Sequence, residues 1–448
     1  MRIVVAGAGE FGLSIAQLLT AEEFDIVIVD SDHERVQAAQ AAVDCLVVEG
    51  NPCSNALFSR HDVAEAEMFI ACLLNDEMNM VACMMAKHYG IARTVACVRN
   101  ADYMRYEKDF VHDEMQIDLL LNTDFIVAKE IGKILTATSS LNVENFAGGK
   151  VKMFETKIAE DSPFVNKQLR ELELPNDILA ALILHEQKVL VPRGSDVLHK
   201  DDFVYFVGTA DAISTFAKNF HTVYERPKHV LMIGAGRTGR FTAPILERRG
   251  MFVKAIEKNE ERCELLAGEL KNGIVLCGDG TNIDLLNEEG ITDTDVVLAI
   301  TDDEKLNLMA ALLAKHLGAK RTLVRVDHNE FVDLMTQVGV DVALSTRSLM
   351  AEELLRFVHG KGVLNVSVLD DAQSQAMELI VREKSEVLEK EVKKLNLPAG
   401  SLLCAVVRGN DAYIPKGDTV LHLGDRVVLL VRNDIVSDVT QKFESVQK

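Results

Sequence analysis

Two glycine-rich segments of the sequence have the residue types and the spacing that bind phosphate. Residues 5–12 read VAGAGEFG and residues 232–239 read MIGAGRTG, so the pattern GxGxxG occurs twice, 227 positions apart (234 − 7). In this pattern the first glycine forms a tight turn, the second lets backbone N–H groups approach a pyrophosphate, and the third lets the next helix pack closely. The anion then lies at the helix N-terminus, where unpaired N–H groups favour negative charge. We therefore expect a phosphate site at each loop.

An acidic residue follows each glycine loop at the end of the next predicted strand. Asp30 ends the run FDIVIVD and Glu257 ends MFVKAIE, again 227 positions apart (257 − 30). A carboxylate at this place accepts hydrogen bonds from ribose hydroxyls and repels a 2′-phosphate. The pattern predicts two nucleotide sites, for NAD(H) or another adenosine nucleotide rather than NADP(H). Glycines that serve only a turn are the alternative interpretation, which the second copy disfavours.

The sequence shows no catalytic constellation, and we predict a protein that is not an enzyme and has no catalytic or metal-binding residues. Hydride transfer needs a positioned acid or base. His88 and His316 occupy equivalent places, but each ends an Ala-Lys-His triplet on an amphipathic helix, which favours a partly exposed helix position. His112 lies beside Asp113 and Glu114 and could bind a cation, although a solvated loop is the simpler interpretation.

The elements that must position the glycine loops also occur twice. A third apolar run follows each acidic residue, DCLVVEGN at 44–51 and GIVLCGDG at 273–280. The segment NMVACMMAKHYGIARTV (79–95) then matches NLMAALLAKHLGAKRTL (307–323), 228 positions later (307 − 79). An offset that stays constant within one residue indicates an internal duplication. Strands and helices alternating at this spacing predict two Rossmann-type doubly wound parallel sheets of the α/β class, with ligand clefts at the carboxyl ends of the strands.

Each predicted Rossmann unit is followed by a segment of a different kind. Short alternating strands separated by turns, such as VKMFETKIA in the first half and AMELIVREK in the second, predict a small α+β domain. The turn PRGSDVLHKDD (192–202) matches PKGDTVLHLGD (415–425) in these segments. We predict four domains, alternately Rossmann and small, over residues 1–138, 139–224, 225–360 and 361–448.

Composition and charge restrict the partners of the chain. Its 448 residues carry a formal net charge of −21, which argues against nucleic acid as a ligand because nucleic acid attracts clustered Lys and Arg. The apolar runs are shorter than the roughly 20 residues that span a bilayer, and no signal peptide precedes the first strand. The 8 cysteines form no CxxC pair, as expected of reduced thiols in the cytosol. We predict a soluble cytoplasmic protein that reaches a membrane only through a protein partner.

The ordered motifs resemble the regulator-of-potassium-conductance (RCK) modules, and their duplication resembles the TrkA family of peripheral NAD-binding subunits of Trk-type potassium uptake systems. GAGEFG, Asp30, NDEMNMVACMMAKHYG, RNADYM and the paired PRGSDVL and PKGDTVL segments carry the resemblance, which covers essentially the whole chain. It implies that the lobes bind NAD(H), or ATP and ADP, without any reaction. It also implies a homo-oligomeric ring of RCK modules on the inner face of the membrane, where conformational change gates a potassium-translocating subunit. A nucleotide-responsive regulator of another ion transporter and an NAD-dependent oxidoreductase are the alternatives.

The resemblance also assigns residues to the two nucleotide sites. The first site would comprise Gly7, Ala8, Gly9, Glu10, Phe11, Gly12, Asp30, Asn51, Leu73, Leu74, Glu77 and Arg99. The second site would comprise Gly234, Ala235, Gly236, Arg237, Thr238, Gly239, Glu257, Asp279, Thr301 and Asp302. Arg99 should reach phosphate oxygens, and Asn51 should lie near the adenosine. Asp76, Glu77 and Asn79 could cap their helix, line the cleft or support a contact between lobes.

Several positions depart from the family pattern. Leu73 and Leu74 stand where the family usually has small hydroxyl residues, so a polar side-chain contact is lost there. Asp327 stands where the first half has Arg99, although Arg237 in the second loop could supply positive charge near the phosphates. We therefore expect the two sites to differ, the first tolerating extra phosphate charge better than the second.

Overall fold

The computed structural model describes residues 1–105, 110–136, 143–158, 160, 162–172, 174–185, 188–216, 227–358, 363–369 and 374–443. Within these residues the chain forms two compact units. The first unit contains the residues up to 136 and those from 227 to 351, and the second contains the rest. The domain boundaries predicted near 138, 224 and 360 lie outside the described residues.

The first Rossmann lobe is a parallel sheet with helices between its strands. Its elements are β1 (Arg2–Ala6), α1 (Glu10–Ala21), β2 (Asp25–Asp30), α2 (His33–Ala42), β3 (Leu46–Glu49), α3 (Asn55–Phe58), α4 (His61–Ala64), β4 (Met68–Ala71), α5 (Asp76–His88), β5 (Arg93–Cys97), β6 (Leu119–Leu121) and α6 (Thr123–Thr136). The strand order is β3-β2-β1-β4-β5-β6, with all neighbours parallel. The strands are runs of Val and Ile because helices bury both faces of the sheet. The order reverses between β1 and β4, where a doubly wound fold binds its ligand.

A small antiparallel domain follows the first lobe. Its elements are β7 (Val143–Phe146), β8 (Val151–Lys157), β9 (Ile178–His185), β10 (Lys188–Leu190), β11 (Phe203–Thr209) and α7 (Ala210–Phe216). The sheet order is β10-β9-β11-β8-β7. Neighbouring strands are antiparallel, which accords with the short alternating runs of the sequence.

The second Rossmann lobe repeats the first. Its elements are β12 (His229–Ile233), α8 (Arg237–Arg248), β13 (Phe252–Glu257), α9 (Glu260–Glu269), β14 (Ile274–Cys277), α10 (Ile283–Glu288), β15 (Val296–Ala299), α11 (Glu304–His316), β16 (Thr322–Val326), α12 (Glu330–Gln337), β17 (Val342–Ser345) and α13 (Thr346–Val358). The parallel order β14-β13-β12-β15-β16-β17 is that of the first lobe. The structure therefore confirms the duplication at the level of topology.

A second small domain completes the described chain. Its elements are β18 (Val363–Val368), β19 (Ser374–Ile380), β20 (Ser401–Arg408), β21 (Asp411–Tyr413), β22 (Arg426–Arg432) and α14 (Val436–Phe443). The two small domains share one core, in which Val207 and Tyr205 of β11 pack in the same cluster as Val428 and Leu430 of β22. The two sheets thus cover each other's apolar faces within the chain. The predicted fold class, two Rossmann-type sheets each followed by a small α+β domain, is confirmed.

The two Rossmann lobes contact each other through α6 and α8. The rings of Phe125 and Phe241 meet edge to face, with their centroids 5.3 Å apart. Gly132 lets the helices approach, because a Cβ there would lie 2.9 Å from Cγ2 of Ile245. This packing brings the start of α6 close to the second glycine loop. Among the residues described above, no helix combines the length and the apolar composition needed to cross a bilayer.

Candidate functional site

The first glycine loop joins β1 to α1, and its glycines serve different purposes. Gly7 has a φ of +117°, and a Cβ there would lie 2.7 Å from the carbonyl oxygen of Cys72, just after β4. A Cβ at Gly12 would lie 1.9 Å from the carbonyl oxygen of Gly7. Contacts inside the protein therefore require both glycines. Gly9 differs, because its φ is −71° and a Cβ there would meet no atom of the described residues within 4 Å.

The second loop, between β12 and α8, has the same division. Gly234 has a φ of +106°, and a Cβ at Gly239 would lie 2.3 Å from the carbonyl oxygen of Gly234. A Cβ at Gly236 would have as its nearest neighbours only Arg262 Nη1 at 3.7 Å and Asp302 Oδ2 at 4.0 Å. In both loops the middle glycine thus faces space that the described chain leaves open.

The helices after the two loops begin without a side-chain cap. Gly9 and Gly236 are the N-cap residues of α1 and α8, and neither supplies a capping hydrogen bond. Side chains of Asp32, Asn75 and Asn259 do cap α2, α5 and α9. Because the first N–H groups of any helix lack intrahelical partners, the glycine loops combine free donors with open space.

The predicted ribose acids are buried and tie the loops to the sheets. Asp30 is 3% exposed, and its Oδ2 accepts a hydrogen bond from the Ala8 amide at 2.7 Å. Glu257 is 9% exposed, and its Oε2 accepts one from the Ala235 amide at 2.8 Å. The sequence did not indicate this loop-holding contact. Since a carboxylate has about four lone-pair sites, both acids can still accept a hydrogen bond from a hydroxyl group. Their contact with a ribose stays a prediction.

The two acids differ in how much of that capacity the protein uses. Asp30 Oδ1 accepts one further amide, from Asp32 at 2.9 Å. Glu257 Oε1 accepts two, from Lys258 at 3.0 Å and Asn259 at 2.9 Å. Glu257 is therefore left with less capacity for a ribose than Asp30.

In each lobe, the assigned residue after the third strand lies at the carboxyl edge of the sheet. Asn51 Oδ1 accepts from the Cys53 amide at 2.9 Å. Asp279 Oδ1 accepts from the Thr281 hydroxyl at 2.7 Å and the Thr281 amide at 2.9 Å, and these hydrogen bonds lower the pKa of the Asp279 carboxyl. The side chain of Lys258 also approaches Asp279, with Nζ 3.6 Å from Oδ2.

A cavity of about 210 Å³ joins most of the residues assigned to the second site. It lies over the carboxyl ends of β12 and β13, where a doubly wound sheet binds its ligand. The assigned residues in its lining are Gly234, Gly236, Glu257, Asp279, Thr301 and Asp302, and Lys258 and Arg262 add positive charge.

A second cavity of about 340 Å³ is lined from both lobes. The first lobe contributes Leu74, Asn75, Asp76, Glu77, Arg99 and Asn100. The second lobe contributes Arg237 from its glycine loop. The structure therefore places Arg237, which the sequence assigned to the second site, beside three residues assigned to the first. The two guanidinium groups can bind an anion, although the carboxylates of Asp76 and Glu77 line the same cavity.

Asn79 and its counterpart Asn307 have a structural role beside the clefts that the sequence analysis did not resolve. Asn79 is 1% exposed, its Oδ1 accepts from the Leu73 amide at 2.7 Å, and its Nδ2 donates to the Cys97 carbonyl at 2.8 Å. Asn307 makes the same contacts, with the Thr301 amide at 2.9 Å and the Arg325 carbonyl at 3.0 Å. Each asparagine ties the ends of two neighbouring strands together beside the cleft. The signal in the sequence was the repetition of Asn at the 228-residue offset.

We expect the substitution Asn79→Ala to lower the free energy of unfolding by about 3 kcal/mol, because buried amide and carbonyl groups lose their partners. Asn307→Ala should lower the free energy of unfolding to a similar extent. The matched control is Asn75→Ala, which removes the cap on the Met78 amide and should cost about 1 kcal/mol. Thermal and urea unfolding measure both. Equal losses for Asn79→Ala and Asn75→Ala would contradict this role.

A buried polar cluster joins the second glycine loop to the first lobe. Asp124, near the start of α6, accepts from the Thr238 hydroxyl at 2.6 Å and from Arg237 Nε at 3.1 Å. Arg325 Nη1 donates to Thr238 Oγ1 at 3.0 Å and to Asp302 Oδ1 at 3.1 Å. Asp124, Thr238 and Arg325 are all at most 9% exposed. The second loop is thus held by a carboxylate from the opposite lobe.

Arg325 belongs to β16, and its charge balances several carboxylates. Nη2 lies 3.1 Å from Oδ1 of Asp327, and Nη1 lies 3.7 Å from Oδ1 of Asp124. Burial by itself lowers the pKa of Arg325, but Asp327, Asp124 and Asp302 more than offset this, so that the pKa is raised. The guanidinium is therefore a permanent charge in the cluster.

The first glycine loop also contacts the opposite lobe, but through a more exposed ion pair. Arg347 on α13 donates from Nη2 to Oε1 of Glu10 at 2.8 Å. The Glu10 side chain is 81% exposed and that of Arg347 37% exposed. Phe11 stands at the position of Thr238 and has no hydroxyl to offer a partner.

The histidines that the sequence singled out are exposed. His88 and His316 end α5 and α11, as expected. His112 Nδ1 lies 2.7 Å from Oδ1 of Asp113 on the surface. In the part of the chain that the structure describes, no group of three or more His, Cys, Asp or Glu side chains has the arrangement of a metal site.

Family models match all four domains. Residues 3–116 and 230–346 match the TrkA-N domain, and residues 153–221 and 376–444 match the TrkA-C domain. The Trk system potassium uptake protein TrkA homolog 1 of Methanosarcina mazei is 33% identical over 452 residues, covering 99% of this chain and 100% of the relative. The Trk system potassium uptake protein TrkA of Halomonas elongata is 32% identical over 454 residues, covering 99% of each chain.

Solved structures share the fold. The GsuK RCK domain has a TM-score of 0.59 at 19% identity, with 98% of this chain and 94% of that chain covered. The GsuK channel bound to NAD has a TM-score of 0.60 at 19% identity, with 98% and 78% covered. The matched domains and relatives show that the chain belongs to the TrkA family, as a tandem of two TrkA-N domains, each followed by a TrkA-C domain.

Proposed function

We propose that the protein is a nucleotide-sensing regulatory subunit that gates a membrane potassium-translocating subunit of the Trk type. Nucleotide binds at the two glycine loops and is not chemically changed. The names of the relatives, potassium uptake proteins of Trk systems, support the transport role. Under this proposal the chain works in the cytoplasm at the inner face of the membrane, held there by its partner and assembled into a ring with other copies.

The glycine loops support NAD(H), ATP or ADP as the ligands. Gly9 and Gly236 leave open space at uncapped helix N-termini, which is where a pyrophosphate binds in this fold. Asp30 and Glu257 lie where a ribose would be held. The solved GsuK structures bound to NAD and to ADP have the same fold and are consistent with this class of ligand.

The observation that carries the regulatory role is the cavity shared by Arg99 and Arg237. Arg99 follows β5 of the first lobe, whereas Arg237 opens α8 of the second. A phosphate bound by both guanidiniums would contact both lobes at once. Its binding would then favour the arrangement of lobes in which the two arginines converge, and a ligand shifts a conformational equilibrium by this differential affinity.

The first test is calorimetric titration of the purified protein with NADH, NAD, ATP and ADP, one at a time. We expect saturable binding at about two sites per chain, with the nucleotide recovered unchanged. Potassium flux through the membrane partner reconstituted in vesicles should then respond to the same nucleotides. If no nucleotide binds, the loops are only turns and the proposal fails. If nucleotide binds but only another ion's flux responds, the partner is a different transporter.

We expect Arg99→Ala and Arg237→Ala each to weaken ATP binding at the first loop by about 10- to 100-fold, the effect of losing one charge-assisted hydrogen bond. The matched control is Arg60→Ala, which removes an arginine paired with Asp62 on the surface of the first lobe. Titration with ATP measures all three. ATP affinity that is unchanged in both cavity variants would contradict the bridging role of the arginines.

A further inference from the structure

We infer that Asp124 and Arg347, contributed by opposite lobes, give the two glycine loops opposite charge preferences. The first loop then prefers a nucleoside triphosphate, and the second prefers a dinucleotide such as NAD(H), which carries less phosphate charge. This inference rests on the proposed function and adds the ligand class of each loop.

Asp124 and Arg347 occupy the same position in the two halves of the chain. α6 begins at Thr123 and α13 at Thr346, 223 positions apart (346 − 123), and the same offset relates Asp124 to Arg347 (347 − 124). Each is the second residue of its helix, and each contacts the glycine loop of the other lobe. The two halves therefore share this contact between lobes, but the contacting side chain is a carboxylate in one half and a guanidinium in the other.

At the second loop the contact brings a carboxylate to the start of α8. Asp124 is 5% exposed and lies 2.6 Å from the hydroxyl of Thr238, a residue of the first helical turn. An anion bound at this N-terminus would lie close to the buried Asp124 carboxylate. Like charges repel strongly where burial limits screening, so each additional phosphate on the ligand costs more at this loop.

At the first loop the same position brings a cation. Arg347 donates to Glu10 at 2.8 Å, and its Nη2 lies 3.3 Å from Nε2 of His328. Because the Glu10 side chain is 81% exposed, the ion pair is weak and leaves Arg347 available to an incoming phosphate.

Charged residues at matched positions around the two loops add to this difference between the loops. Around the second loop, three carboxylates face two guanidiniums: Asp124, Asp302 and Asp327 against Arg237 and Arg325. Around the first loop, the corresponding five positions hold two guanidiniums and one carboxylate: Arg99 and Arg347 with Glu10. Arg237 moreover lines the cavity of about 340 Å³ together with Arg99, so its charge also reaches residues assigned to the first site. At these five positions the first loop is thus the more positive one, although Lys258 and Arg262 beside the second loop and Asp76 and Glu77 beside Arg99 reduce the contrast.

The test isolates each loop before its charge is changed. The substitution Gly9→Asp places a carboxylate in the anion position of the first loop and leaves only the second available, and Gly236→Asp does the reverse. In the Gly9→Asp protein, Asp124→Asn should raise ATP affinity about tenfold and change NADH affinity much less. In the Gly236→Asp protein, Arg347→Gln should lower ATP affinity about tenfold, again with a smaller effect on NADH. Calorimetry with ATP and NADH, without added divalent cations, gives the ratio of the two affinities.

The outcomes separate this inference from the proposed function. If ATP and NADH bind the parent proteins but neither Asp124→Asn nor Arg347→Gln changes the ratio of affinities in the stated direction, the charge assignment is overturned and the proposed function stands. If the parent proteins bind neither nucleotide while wild type binds both, the blocking variants have failed, and the single variants Asp124→Asn and Arg347→Gln are compared directly with wild type for the same ratio. If wild type binds neither, both are overturned. Arg347→Gln removes an exposed pair and should fold even if Asp124→Asn does not.

Discussion

The substitution Gly9→Asp is expected to abolish nucleotide binding at the first loop without destabilising the protein. Gly9 has a φ of −71°, which any residue adopts, and within the part of the chain that the structure describes a Cβ there meets no atom within 4 Å. Asp is a favourable N-cap, so α1 should keep or slightly gain stability. The new carboxylate occupies the space that a phosphate would use, and a like charge there should weaken binding by about 100-fold or more.

The matched variant Gly236→Asp should remove the other site. Each single variant is expected to retain about one site per chain by calorimetry, and the double variant none, with melting temperatures within about 2 °C of wild type. Nucleotide binding that persists at full stoichiometry in the stable double variant would show that the ligand does not use the glycine loops.

The substitution Gly12→Ala should have the opposite signature, a large loss of stability. A Cβ at Gly12 would lie 1.9 Å from the carbonyl oxygen of Gly7 and 3.0 Å from the sulfur of Cys72. Backbone cannot move aside as a flexible side chain can, so α1 must shift away from β1. Overpacking of this kind typically costs about 3 kcal/mol or more when backbone is the obstacle.

Thermal unfolding of Gly12→Ala beside Gly9→Ala makes the comparison, since both add one methyl group to the same loop. Gly9→Ala should unfold at the wild-type temperature, whereas Gly12→Ala should unfold well below it. Gly239→Ala should repeat the effect in the second lobe, because its Cβ would lie 2.3 Å from the Gly234 carbonyl oxygen. Equal stability of Gly9→Ala and Gly12→Ala would mean that the close packing of α1 on β1 is not rigid.

Together these variants distinguish two different roles of the glycines in the GxGxxG pattern. The first and third glycines are needed by the protein's own backbone, whichever ligand binds. Only the middle glycine is free of such contacts in both loops, so its substitution reports on the ligand alone. The same reasoning makes Gly9 and Gly236 the sharpest positions at which to ask which nucleotide drives the transporter.

Much of the fold could be predicted from local sequence patterns. Continuous apolar runs, the spacing of glycine turns and the repeat at an offset of 227 to 228 residues gave the parallel sheets, their order of elements and the duplication. These features depend on residues close together in the chain, so that periodicity and turn chemistry suffice to indicate them. The positions of Asp30 and Glu257 at strand ends followed for the same reason.

The polar contacts of the site could not be predicted in this way. Nothing in the sequence indicated that Asp30 and Glu257 hold the Ala8 and Ala235 amides, because a hydrogen bond to the loop backbone leaves no trace in residue types. Asn79 was assigned to the opening of a helix, yet its amide spans the ends of β4 and β5.

What the sequence by itself determined is therefore the architecture: two glycine loops, each on a doubly wound sheet, repeated with their small domains. What only the tertiary structure decided is how one lobe completes the other. Asp124 meets Arg237 and Thr238 across 113 and 114 positions of the chain, and Arg347 meets Glu10 across 337. Asp124 reaches the second loop only because α6 packs on α8, and Arg347 on α13 reaches Glu10 on α1 in the same way across the two lobes. Such packing is a property of folded surfaces rather than of any local pattern.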